Sequence, residues 1–241
     1  PFIDSIDLSM NIALTSLELF AYNITSIDLS ANTALTSLDL YLDSITSLDL
    51  NSNTDLTSLD IASRLASLDL SNNIELSRLN VYSYTSYYLT SIDLSNNPLL
   101  TDLNLSDTSL TSIDLSNNPL LRTIDLSQID LAFIDLSTNT LLTEIDLSGN
   151  QFSAINLEEN TELTALILND NNFSTINLDA NTNLESVYLN SNPLLNETKS
   201  YLDSLSIDIM EYDNNPPIAD AGEAQYFDTD RTVTVTLDGS L

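Results

Sequence analysis

The sequence predicts a β-rich solenoid with two strands in each coil, and three observations carry that expectation. Near-copies of the segment ITSIDLSANTALTSLDL (residues 24–40) recur from residue 3 to residue 195. Their apolar–x–apolar triplets follow one another at steps that alternate between 11 and 10, so the true unit is about 21 residues with two similar halves. An Asn recurs at a fixed offset after every first-half triplet. A period in the twenties implies stacked coils, each burying its apolar edge only against the coils before and after it.

The first-half triplets begin at Ile6, Ile27, Leu48, Leu68, Ile92, Ile113, Ile134, Ile155 and Ile176, and the second-half triplets at Leu17, Leu38, Leu59, Leu79, Leu103, Ile124, Ile145, Leu166 and Val187. Within each, apolar residues at i and i+2 flank a polar one, the alternation of a short half-buried strand. Nothing before the C-terminal end shows a sustained helical stripe. There, NETKSYLDSL (196–205) predicts a short helix with Asn196 as N-cap and Glu197 in the first turn, and SIDIM (206–210) a last strand. Together they make a cap over 196–213, following a solenoid over 1–195. The N-terminal end shows no comparable cap; its open strand edge invites self-association, and more repeats or a cap are expected before Pro1.

The recurring Asn residues are Asn11, Asn32, Asn53, Asn73, Asn97, Asn118, Asn139, Asn160 and Asn181. A buried column of amides can bond to backbone groups that a tight corner would otherwise leave unpaired. The matching site of the other half holds Tyr22, Asp43, Thr108, Ile129, Asn150, Asn171 and Asn192, which predicts a looser corner free to vary.

The stretch LTSIDLSNNPLLTDLNLSDTS (89–109) resembles a leucine-rich repeat, and the nested halves resemble the bacterial 21-residue subclass, IRREKO-like, with the pattern LxxLxLxxNxLxxLDLxx. The resemblance implies a right-handed coil with a parallel sheet on one face, strand-like segments on the other, slight curvature, and a role in binding rather than chemistry. After Pro216-Pro217, a stiff linker, residues 214–241 resemble the opening of a PKD-type immunoglobulin-like domain through Pro217, Ala219, Ala221, Gly222 and the run Val235 to Ser240. That second resemblance implies a secreted or surface-bound bacterial protein of several modules.

Composition excludes much else. Without Cys or His there is no disulfide framework, no thiol nucleophile and none of the usual zinc ligands or general bases. Three scattered glycines make no phosphate loop, and no apolar run approaches a membrane span. A net charge of −31 opposes nucleic acid and anionic membrane surfaces as partners.

The acids fall in columns. Asp7, Asp28, Asp49, Asp69, Asp93, Asp114 and Asp135 are the outward residues of the first-half triplets, beside a column of Ser5, Ser26, Ser47, Ser67, Ser91 and Ser112 and another of Ser9, Ser30, Ser71, Ser95, Ser116 and Ser137. At a coil spacing of about 4.8 Å, neighbouring carboxylates repel by about 0.9 kcal/mol in water. Screened, solvated Asp relieves this most simply; Ca²⁺ bound along Asp28, Asp49, Asp69, Asp93, Asp114 and Asp135 is the competing reading, so no cofactor is assigned and Ca²⁺ is kept as a test. A glycosidase-like pair such as Asp114 and Asp135 lacks a pocket to raise one pKa, and serine lacks a base. Thr15, Thr36 and Thr57 align as in an ice-ordering face, but Ser77, Thr101 and Arg122 break the series.

The other face is more individual. Phe20, Tyr22 and Tyr41 lie near an insertion, VYSYTSYYLT (81–90), that brings Tyr82, Tyr84, Tyr87 and Tyr88. Tyrosine rings with polar tips suit protein and carbohydrate partners alike. These seven aromatics are the candidate recognition patch of a non-catalytic, extracellular binding and scaffolding module; a structural spacer between surface domains is the alternative.

Overall fold

The computed structural model describes residues 5–82 and 89–213. Tyr84, Tyr87, Tyr88 and the PKD-like segment 214–241 lie outside the described residues.

One parallel sheet of ten strands runs the length of the chain, with order β1-β2-β3-β5-β7-β8-β9-β10-β11-β12. It is built from β1 (Ser16–Phe20), β2 (Ser37–Leu42), β3 (Ser58–Ser63), β5 (Arg78–Tyr82), β7 (Asp102–Asn104), β8 (Thr123–Asp125), β9 (Glu144–Asp146), β10 (Ala165–Ile167), β11 (Ser186–Tyr188) and β12 (Ile209–Glu211). The register repeats the sequence period: Leu17 pairs with Leu38, Leu38 with Leu59, and Ile124 with Ile145. Equivalent residues therefore stand in straight columns across the coils. Inward columns such as Leu38, Leu59, Leu79, Leu103 and Ile124, with Leu40, Ile61, Val81, Leu105 and Leu126 beside them, are buried and form one continuous core. Phe152 and Phe173 replace a leucine of that core near the C-terminal end and are fully buried.

The second face departs from the expected strand in most of the described coils. Ladder pairing there is limited, among the described residues, to β4 (Ser67–Leu68) with β6 (Ser91–Ile92). A local bond recurs on this face. In the triplet Ile27-Asp28-Leu29, the Asp28 carboxylate accepts the backbone N–H of Ser30 at 2.9 Å, and Asp49, Asp69, Asp93, Asp114 and Asp135 do the same to the residue two positions on. The bond fixes the turn that follows each triplet; it is also made by Asp69 and Asp93 in the two coils that do pair, so it does not by itself abolish the ladder.

The first corner is stitched by the Asn column. Asn53 donates its amide to Leu29 O at 3.2 Å and Asn32 O at 2.9 Å, and every later member repeats the pattern to Asn181. From Asn32 onward these side chains are buried; Asn11, on the first coil, is exposed and contributes its carbonyl to Asn32.

The second corner is less loose than expected. Asn150 donates to Leu126 O at 2.8 Å and accepts from Leu131 N at 2.8 Å, while Asn171 and Asn192 serve Phe152 N and Phe173 N in the same way. The residue before each is left-handed: Gly149, Asp170 and Ser191 have φ of 66°, 55° and 59°, and Gln128 and Asp107 match them one and two coils before Gly149. Three Asn spaced by 21 residues were the available signal. Thr108 and Ile129 are buried at the same site, where Thr108 bonds to Leu105 O.

The capping helix, α1 (Asn196–Ser204), starts one residue earlier than the Asn196 N-cap reading requires. Leu195 is the N-cap, and it makes no side-chain cap bond; Glu197 does lie in the first turn. The last strand, β12, falls at 209–211 rather than 206–210 and pairs in parallel with β11. Leu202 is buried against the core, and the Tyr201 hydroxyl both accepts from Leu178 N at 2.9 Å and donates to Asp179 at 2.9 Å.

Candidate functional site

The outward side of the ten-stranded sheet divides into two halves, and one residue type makes the division. In the fifth to seventh coils the residue two beyond the outward acid or amide is Ser, in Asn104-Leu-Ser106, Asp125-Leu-Ser127 and Asp146-Leu-Ser148. Each serine gives both its N–H and its hydroxyl to that side chain: Asp125 Oδ1 accepts from Ser127 N at 3.0 Å and from Ser127 Oγ at 2.6 Å. The strand stops there, and β7, β8 and β9 are each three residues long; β10 and β11, with Asn169 and Asn190 at that position, are equally short. In the first four coils the same position is Phe20, Tyr41, Ala62 or Tyr82, which has no hydroxyl at that reach. The strands run on to five or six residues.

Extension places the aromatics in one row. Phe20 pairs with Tyr41, Tyr41 with Ala62, and Ala62 with Tyr82 in register. The Phe20 and Tyr41 rings stack at 4.2 Å and 10°, and the Tyr82 ring meets Tyr41 edge-on at 6.1 Å. Two strand spacings separate β2 from β5, so the second contact requires a small residue between them, and Ala62 supplies it. Phe20 is 60% exposed. Tyr22, 80% exposed, lies past the end of β1 on the turn.

The same extension leaves the acids of this half uncapped. Asp39 Oδ1, Asp60 Oδ1 and Asn80 Oδ1 are covered and have no hydrogen-bond partner, while Asp60 Oδ2 accepts from Asn80 Nδ2 at 2.8 Å. Burial, followed by the charges of Asp60 and Glu18, pushes the Asp39 carboxyl above its ordinary range. Further along, Arg78, Asn80, Asp102, Asn104, Asp125, Glu144 and Asp146 line a shallow groove of about 330 Å³. Its acids are served from within: Asp102 accepts from Thr101 Oγ1 at 2.7 Å and from Thr123 Oγ1 at 3.0 Å.

The opposite face holds the candidate cation column. The side chains and backbone N–H groups of Ser30, Ser95 and Ser116 hold the carboxyls of Asp28, Asp93 and Asp114 below the ordinary range, and the backbone N–H and side chain of Ser71 and Ser137 do so for Asp69 and Asp135. A lowered carboxyl pKa is the wrong direction for a general acid. Among the described residues, no three acidic side chains converge closely enough to hold a metal ion. The aligned hydroxyls are also engaged, since Thr36 Oγ1 donates to Thr15 O at 3.1 Å and Thr57 Oγ1 to Thr36 O at 3.0 Å. Sequence reasoning missed Phe133, which is 75% exposed on this face above Ile155 and Ala154; it interrupts the serine column, and that interruption was its signal.

No protein-family model matches the chain, and no curated protein matches its sequence. Solved structures do match its fold. The functional domain of InlJ from Listeria monocytogenes is 26% identical with a TM-score of 0.63, over 85% of this chain and 54% of that one. A leucine-rich repeat protein of Leptospira interrogans is 19% identical with a TM-score of 0.67, over 86% and 62% respectively. An internalin of Listeria monocytogenes is 24% identical with a TM-score of 0.65, over 84% and 68%. The chain spans roughly half to two thirds of the length of these proteins. Its parallel β-solenoid of about nine turns is thus similar to that of bacterial leucine-rich repeat proteins.

Proposed function

We propose that the chain is a non-catalytic binding and scaffolding module of a secreted or surface-exposed bacterial protein, and that it engages its partner through the sheet face of the first four coils. The observation that carries this reading is the coincidence, on those coils alone, of an aromatic row with uncapped outward side chains. Interfaces are anchored by aromatic residues set in partly desolvated surroundings. The similarity to internalins and other leucine-rich repeat proteins supports a protein as the partner, with a carbohydrate as the other class to be screened. Catalysis has no support: His and Cys are missing from the sequence, and the regular acids are capped by serine.

The test is a screen of the full chain against protein and glycan arrays, repeated with Phe20→Ser/Tyr41→Ser and with Ser95→Ala/Ser116→Ala on the opposite face. Capture lost in the first variant and retained in the second is the expected result. Capture that survives the first variant overturns the assignment of the face, and no ligand at micromolar affinity leaves the spacer reading.

A further inference from the structure

Resting on that reading, the chemistry of the face narrows the partner. Three features must be matched together. The first is a row of flat rings, Phe20, Tyr41 and Tyr82, the first two stacked and one side of the row open to solvent. The second is a parallel column of acceptors two residues away on the same strands, Glu18, Asp39 and Asp60, in register from coil to coil. The third is the absence of any internal donor for Asp39, in a column where every acid of the later coils receives two hydrogen bonds from its own serine.

An acid held by a serine is already engaged, whereas Asp39 has a covered Oδ1 without a donor and its other oxygen left to meet an incoming group. The ligand group must therefore be rich in donors, poor in acceptors, positively charged and flat enough to lie on a ring. A hydroxyl-rich sugar meets the second requirement badly, because it would bring acceptors to a column of carboxylates. An ammonium has the charge but not the plane. A guanidinium has all four properties: five N–H donors, no acceptor, a permanent charge, and a planar face that stacks on aromatic rings.

We propose that the sheet face of the first three coils takes an arginine side chain from a basic segment of a protein partner, its plane on the exposed Phe20 ring that Tyr41 backs and its N–H groups toward the acidic column of Glu18, Asp39 and Asp60. Charge complementarity favours such a segment over any other class, since the whole chain carries −31. The nearby cations do not fill the role. Arg64 is bridged to Asp43 at 2.8 Å, around the second corner, and Arg78 stands in the next column on the fourth coil, in register with Asp102.

A general attraction of a polyacid for any polycation is the competing explanation, and the experiment is built to separate the two. The full chain is titrated with hexa-arginine and hexa-lysine peptides in 150 mM NaCl, roughly physiological screening, by isothermal calorimetry. The same titrations are run on Asp39→Asn/Asp60→Asn, on Asp93→Asn/Asp114→Asn, and on Tyr41→Ser. The two double variants lose the same charge from opposite faces, and thermal melts establish that each is folded.

The expected result is that hexa-arginine binds at least about tenfold tighter than hexa-lysine, a difference of about 1.4 kcal/mol. Asp39→Asn/Asp60→Asn should weaken it about tenfold, Asp93→Asn/Asp114→Asn less than about twofold, and Tyr41→Ser should remove the preference for arginine. Equal affinity for the two peptides, or equal loss in the two double variants, overturns the proposal. So does a partner from the array screen whose capture depends on Phe20 and Tyr41 but not on Asp39 and Asp60. In that last case the binding face stands and only its arginine chemistry falls.

Discussion

A serine or an aromatic ring two residues after an aspartate decides what that aspartate does. With Ser127 in place, Asp125 accepts two short bonds and ends its strand; with Tyr41, Asp39 keeps an unpartnered oxygen and the strand continues. Asp39 feels burial and neighbouring charge with no serine bond to offset them, whereas burial raises Asp146 against two bonds from Ser148, and the sign of the Asp39 pH dependence follows. Its folded pKa is raised above the unfolded value, so the folded state binds more protons there and stability falls as pH rises through the carboxylate range. Asp39→Asn is expected to stabilise the chain at pH 7 by up to about 1 kcal/mol, the scale of one neighbouring charge at strand spacing in water. The gain should vanish near pH 3, where the group is protonated in both states. Urea unfolding at the two pH values checks it, and a variant less stable than the parent at pH 7 would count against the argument.

At the level of elements, α1 is held to the last coil by few but specific contacts. The Tyr201 hydroxyl accepts the Leu178 N–H and donates to Asp179, and Thr198 Oγ1 donates to Ser174 O at 2.9 Å. Tyr201→Phe keeps the ring but leaves the Leu178 N–H without its acceptor, and should cost about 1 to 2 kcal/mol. Because a terminal cap communicates only with its neighbour, hydrogen exchange should quicken mainly in the last coils; uniform quickening along the chain would contradict a local role. The cap also marks how far sequence reading reached. Period, core columns and the Asn ladder were legible because they depend on residues repeated at one spacing. What escaped depends on single departures: Leu195 rather than Asn196 at the helix start, Asn150, Asn171 and Asn192 building a second ladder in three coils only, and Asp28-x-Ser30 pairs that fix the turn after the first-half triplet. In the last two, side-chain bonds to the backbone shape the chain, and alternation of apolar residues carries no information about them. The aromatic row was half legible, since Phe20, Tyr41 and Tyr82 were named, but their alignment over Ala62 needed the register.

For the molecule as a whole, the same repetition that builds the core also stacks like charges, because columns that align Leu38 with Leu59 align Asp39 with Asp60. A net charge of −31 opposes compaction everywhere along the stack, and each coil gains stability only from its neighbours, so screening should act on the entire solenoid at once. Raising NaCl from 0.01 to 0.5 M shortens the Debye length from about 30 Å to under about 5 Å, below or near the coil spacing. The melting temperature should climb by several degrees, roughly 4 to 8 °C if about 2 kcal/mol of repulsion is removed from a chain of this size. Calcium then separates screening from binding. On the second face the acids already accept serine N–H groups and stand in single file, one per coil, which gives a divalent ion few oxygens within reach of one centre. At matched ionic strength CaCl₂ is therefore expected to raise the melting temperature no more than NaCl does. An additional shift at millimolar Ca²⁺, lost in Asp93→Asn/Asp114→Asn, would mean that the column coordinates metal and that the charge ladder is a binding element in its own right.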